Sequence, residues 1–121
     1  MGFITARELS RKGFNIIFTS RSKAKGDAAV QALQQANPQG QFQLRMMDLA
    51  DLRSVKDLTK AMLDEGNGID VLVNNAGVMA CPEMRTQQGF EYQLGVNHLG
   101  APGPRATLPD LADSALQRVC A

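Results

Sequence analysis

Apolar positions along this chain switch back and forth between a helical and a strand period. In residues 3 to 12, Ala6, Leu9 and the Phe3/Ile4 pair fall on one side and Arg7, Glu8 and Arg11 on the other. That spacing predicts a helix, with Gly13 as its stop. "FNIIFTS", 14 to 20, is β-branched and aromatic and predicts a strand. Ser22 is a cap for a second helix running to about Ala36, with Ala29, Val30, Leu33 and Ala36 near helical spacing. "NPQG", 37 to 40, is turn chemistry, and "FQLRMM", 42 to 47, alternates like a strand. After Asp48, Leu52, Val55, Leu58 and Met62 recur at steps of three and four, which predicts an amphipathic helix ending near Gly66 and Gly68. "IDVLV", 69 to 73, reads as a buried strand. Past Asn97 the pattern weakens. Pro102, Pro104 and Pro109 prevent a regular helix before about Asp110, Leu111, Ala115 and Leu116 suit one short helix, and "RVCA" can begin a strand.

The order α-β-α-β-α-β predicts an α/β fold: a parallel sheet with helices on both faces. Ligands of such sheets bind beyond the carboxyl ends of the strands. The stretch "VLVNNAGVM", 71 to 79, gains interest there, because an apolar strand stops at Asn74, Asn75, Ala76 and Gly77. On its own this is either a turn or a strand end shaped for a ligand.

Composition narrows the classes. With 121 residues and 44% hydrophobic content the chain is one domain at most, with enough apolar surface for a core. A net charge of +1 gives no electrostatic case for nucleic acid or an anionic membrane. No apolar run reaches bilayer length, and "MGFITARELSRKG" lacks the apolar core of a secretory signal. Gly2 is present, but Ala6 stands where myristoylation wants a hydroxyl. Cys81 and Cys120 have neither metal spacing nor the look of a disulfide framework. No metal site is expected, and a reducing, cytoplasmic setting is, with an organelle left open if a segment precedes residue 1.

"ARELSRKG", "TSR", "DLADLRSV", "IDVLVNNAGVM" and "GFEYQLGVNHLG" follow one another in order. Together they resemble the short-chain dehydrogenase/reductase family, and within it the retinol-dehydrogenase-like branch. The resemblance runs over residues 1 to 100, with an echo in "QRVC", and leaves 101 to 121 irregular. It implies a doubly wound, Rossmann-like parallel sheet and hydride transfer between a nicotinamide cofactor and a small alcohol or carbonyl compound.

The family's residues carry over by position. Gly2 matches the last glycine of a TGxxxGxG phosphate loop, where backbone N–H groups approach a pyrophosphate. Ser20 and Arg21 stand where dinucleotide folds place an acid for a ribose 2′-hydroxyl or an Arg for a 2′-phosphate. No acid is there, so NADP(H) is favoured over NAD(H), although Arg21 alone reads equally as a solvated side chain. Asp48 and Leu49 match the pair lining the adenine site; alone, Asp48 is also a plausible helix cap. Asn74 would tie adjacent strands, and Asn75, Ala76 and Gly77 would pass close to the adenosine ribose. Asn97 matches the asparagine of the catalytic tetrad. His98 is expected to be a packed or surface imidazole, and Tyr92 is not the catalytic tyrosine.

The chain departs from the family pattern in three places. The opening strand and most of the phosphate loop are not seen, "APGPRAT" stands where an apolar helix is usual, and neither the catalytic Ser nor Tyr-x-x-x-Lys occurs, since Tyr92 is followed four residues on by Val96. The expectation is therefore a partial NAD(P)-binding domain over 1–121, an incomplete sheet lacking its first strand and C-terminal half, and no activity alone. The alternatives are a non-catalytic nucleotide-binding or interaction module, or a non-functional remnant. Any homo-oligomer is expected of a full-length form. The family's strand order, 3-2-1-4-5, centres on its first strand. Without it, "NIIFTS" and "VLV" are expected to lack their shared neighbour, which makes the isolated chain marginal.

Overall fold

The computed structural model describes residues 2–66, 68–101 and the strand 118–120. The first helix, α1, spans Gly2–Arg11 and the first strand, β1, Asn15–Ser20. Between them Gly13 takes φ +88°, a conformation that L side chains rarely adopt, so the chain reverses there at little cost. Helix α2, Lys23–Ala36, starts where Ser22 Oγ accepts the Lys25 N–H at 3.4 Å. Strand β2, Phe42–Met46, runs parallel to β1, with Ile16 opposite Phe42 and Ser20 opposite Met46.

Helix α3, Leu52–Asp64, is capped by Asp51 and not by Asp48. Asp51 Oδ1 accepts from the Arg53 N–H and from Gln88 Nε2 at 2.8 Å, which ties the helix start to the loop before the next helix. Strand β3 is only Val71–Leu72, shorter than the predicted 69–73, and Val71 is 40% exposed. The apolar run is therefore only half buried. Helix α4, Tyr92–Leu94, passes directly into a π-helical turn, Gly95–Gly100. The predicted short helix at 111–116 and the three prolines lie outside the described residues.

All strands are parallel, in the order β2-β1-β4-β3, where β4 is Arg118–Cys120. This overturns the expected empty centre. Val119 pairs with Ile16 on one side and Val71 on the other. The physical reason is the cost of orphaned backbone groups: each buried N–H or C=O without a partner costs about 1–3 kcal/mol, and a parallel strand between β1 and β3 satisfies both edges.

Side-chain alternation on β1 builds the two layers. Ile16 points to one face and packs with Ala6 and Leu33 from α1 and α2. Ile17 points to the other and packs with Met62 of α3, Leu58, Ile69 and Leu72. Ile16 and Leu33 are almost fully buried, and each such burial stabilises by roughly 1.5–3 kcal/mol. Gly26 of α2 sits against Leu44 of β2, where a Cβ would come within 2.5 Å of a Leu44 methyl. Helix and sheet approach closely there. The result is a doubly wound sheet whose strands present their carboxyl ends on one side.

Candidate functional site

Three strand ends meet at that side. Thr19, Ser20 and Arg21 leave β1; Met47, Asp48 and Leu49 leave β2; Ala76, Gly77 and Val78 follow β3. With Val96 of the π-helical turn they line one cavity of about 180 Å³. Ser20, Arg21, Asp48, Leu49, Ala76 and Gly77, chosen from separate stretches of sequence, thus share one wall system. Asn75 and Gly2 line a neighbouring cavity of about 170 Å³, which shares Thr19 and Ala76 with the first. Asn74 and Asn75 also border a smaller apolar cavity of about 50 Å³ against Leu58, Met62 and Leu72.

Local bonds fix these positions. Ser20 Oγ accepts the Ser22 N–H at 3.1 Å and donates to the Ser22 carbonyl at 2.9 Å, which turns the chain from β1 into α2. The Met47 N–H reaches the Ser20 carbonyl at 3.1 Å, so β1 and β2 stay paired up to the cavity. Asp48 Oδ1 accepts the Ala50 N–H at 2.9 Å, and the Asp48 N–H donates to Ser54 Oγ at 3.0 Å. Asp48 is therefore held in a tight turn, with its second carboxylate oxygen outside that bond. Arg21 Nη1 donates to the Tyr92 hydroxyl at 2.9 Å.

Close approach explains the two glycines. A Cβ on Gly2 would stand 2.8 Å from Asn75 Nδ2, and one on Gly77 would stand 3.4 Å from Asn97 Oδ1. Gly2 opens α1 and lines the cavity beside Asn75, so the start of that helix borders the site. Asn97 itself lines neither cavity. Its Nδ2 donates to the Val78 carbonyl at 2.7 Å and its Oδ1 accepts the Val78 N–H at 2.8 Å. His98 is exposed, as a surface imidazole. Tyr92 is buried against Ala50 and Val96.

Thr19 and Val78 join the cavity lining beyond the residues that the resemblance assigns to it, and the Arg21–Tyr92 bond has no counterpart in the sequence pattern. Thr19 carried a weak signal as the residue before Ser20 at a strand end. Tyr92 carried none, because it lies 71 residues from Arg21. Glu91 sets the start of α4: its carboxylate accepts the Leu94 and Gln93 N–H groups, which hold it below the usual carboxylate range. Among the described residues no group of His, Cys, Asp and Glu is arranged to hold a metal ion, and no helix is long and apolar enough to cross a membrane.

Adjoining cavities along the carboxyl ends of parallel strands, with a helix N-terminus and a guanidinium at their edges, are the arrangement in which doubly wound α/β folds bind nucleotides. The short chain dehydrogenase family model matches residues 1–111, and the chain belongs to that family, in its retinol-dehydrogenase-like branch. It is 42% identical over 100 residues to retinol dehydrogenase 13 of Homo sapiens, covering 83% of this chain and 30% of that protein. A crystal structure of an uncharacterized protein from Mycobacterium Paratuberculosis is similar at 41% identity and a TM-score of 0.79, covering 91% of this chain and 38% of that one. The alcohol dehydrogenase of Thermococcus sibiricus, solved with 5-hydroxy-NADP, shares the fold at 22% identity and a TM-score of 0.71, covering 91% of this chain and 47% of that one. The chain spans about a third of the length of the curated relatives it matches. The family is one of oxidoreductases that bind nicotinamide cofactors.

Proposed function

We propose that this chain is the cofactor-binding part of an NADP(H)-dependent oxidoreductase acting on an alcohol or carbonyl compound, lipid-like by analogy with the retinol-dehydrogenase branch. The observation that carries this reading is the single cavity lined by Ser20, Arg21, Asp48, Leu49, Ala76 and Gly77. Arg21 would face a 2′-phosphate, since its planar guanidinium suits bidentate phosphate binding and β1 ends in Ser20, not in a carboxylate. Asp48 would accept from the adenine amino group. Ala76 and Gly77 would leave room for the ribose, and Gly2 would open the start of α1 to the pyrophosphate. When bound, the nicotinamide supplies the hydride chemistry. Asn97, which matches the asparagine of the family's catalytic tetrad, would also act by position: its two bonds to Val78 hold the segment that borders the proposed cofactor cavity. Cys81 is a free thiol, which suits a reducing, cytosol-like setting.

For these 121 residues alone a second reading applies: nucleotide binding without turnover. It is favoured by the absence of any Tyr-x-x-x-Lys pair in the sequence. Titration with NADPH and NADH, followed by nicotinamide fluorescence, tests the binding; tighter NADPH binding is expected, and no binding at millimolar cofactor overturns both readings. An aldehyde-dependent NADPH oxidation assay separates them, with turnover by the chain alone excluding the second.

A further inference from the structure

We propose that Tyr92 is a specificity-positioning residue, whose hydroxyl holds the Arg21 guanidinium at the cavity and so favours a dinucleotide carrying a 2′-phosphate over one carrying a 2′-hydroxyl. This rests on the cofactor reading above and adds a residue to it. Arg21 is long, exposed and flexible, and a free guanidinium of that kind gains little from a phosphate after its ordering is counted. Here it is not free. Nη1 donates to the Tyr92 hydroxyl at 2.9 Å. The guanidinium has five N–H donors in a rigid fork, so one bond to Tyr92 leaves an edge for a phosphate.

Tyr92 is suited to act as a fixed anchor. It is 9% exposed and packs with Ala50 and Val96, with Leu49 and Val78 against the same cluster. Leu49, Val78 and Val96 also line the cavity, so the ring stands directly behind its wall. The Tyr92 N–H donates to the Met84 carbonyl at 3.1 Å, and the Glu91 cap fixes the first turn of α4. Arg21 directly precedes Ser22, the cap of α2, so the positive end of that helix's dipole adds favourable field for an anion nearby. A phenyl ring at position 92 would keep the packing and remove only the acceptor.

The test is Tyr92→Phe in the full 121-residue chain, titrated with NADPH and NADH beside the wild type. The expected result is a five- to tenfold weaker NADPH Kd, an NADH Kd unchanged within twofold, and no further NADPH loss when Tyr92→Phe is added to Arg21→Ala. Equal weakening of both cofactors, or a lowered melting temperature with the NADPH:NADH ratio intact, overturns the proposal and makes the bond merely structural. A second measurement needs no variant. The chain has one tyrosine and no tryptophan, so its intrinsic emission reports Tyr92 alone. Adding 2′,5′-ADP to the wild type is expected to change that emission, with 5′-ADP changing it much less; equal or absent responses overturn the proposal. Failure of the wild type to bind NADPH defeats the cofactor reading itself, whereas NADPH binding with an indifferent Tyr92→Phe defeats only this inference.

Discussion

Asn97 and Val78 are joined twice, the amide nitrogen donating to the Val78 carbonyl and the amide oxygen accepting its N–H. A side chain thus imitates the edge of a strand and clasps the segment after Gly77 to the π-helical turn. Asn97→Ala removes both bonds from an exposed position. Each such bond contributes about 0.5–1.5 kcal/mol net. The expected outcome is a folded chain whose NADPH affinity falls roughly five- to tenfold, read by fluorescence titration. Asn97→Asp keeps an acceptor but sets a carboxylate against the Val78 carbonyl, and is expected to bind no better than Asn97→Ala.

Gly100, at the end of the π-helical turn, and Gly77, in the cavity wall, should respond differently to a larger side chain. A Cβ on Gly100 would fall 2.6 Å from the Leu49 carbonyl oxygen, a backbone atom that cannot rotate away. Gly100→Ala is expected to lose about 1–3 kcal/mol of stability, seen as a lower melting temperature by circular dichroism. Gly77→Val places its extra methyls beside Asn97 Oδ1 and the cavity, in a stretch open to solvent. It is expected to leave the melt nearly unchanged and to weaken NADPH binding by more than tenfold.

The position of β4 is testable through its backbone. Val119 lies between Ile16 and Val71, so both its neighbours are strands. Val119→Pro removes an N–H and is excluded from central strands. The expected loss is about 1–3 kcal/mol for the orphaned partner. Hydrogen exchange at Ile17 and Val71 should speed up in the variant, whereas the Ile16 N–H is held by the Gln41 carbonyl on the β2 side. Unchanged exchange at Ile17 and Val71 would remove β4 from the centre of the sheet.

Acid should loosen the start of α3. The Arg53 side chain, then Gln88, holds the Asp51 carboxyl down from 3.8 to about 2. Because the folded value is depressed, this contribution is fully present above 3.8 and is lost as pH falls through about 2. Asparagine also caps helices, so Asp51→Asn isolates the charge. Wild type should melt above Asp51→Asn at neutral pH, and the gap should close between pH 4 and pH 2.

Most of the helices and strands were readable from the sequence because each rests on local spacing. The strict apolar steps from Leu52 to Met62 mark α3 wherever it packs, and Gly13 marks a stop because its φ is rarely open to other residues. The strand "IDVLV" was read too long, since apolar character does not say what will cover it, and Val71 stays partly exposed. Asp48 had two readings, cap or ligand side chain. Asp51 has the capping bonds, which leaves Asp48 lining the cavity.

The sequence by itself determined the alternation of helix and strand, the α/β class, and the residues gathered at the strand ends. Those follow from periodicity and from backbone preferences within a few residues. Only the tertiary structure decided that Arg118–Cys120 fills the centre of the sheet, that Asn97 clasps Val78, and that Arg21 rests on Tyr92. Each of these joins residues far apart in the chain. No local pattern encodes such a pairing; it arises where buried backbone and polar groups must find partners, and folding brings those partners within reach.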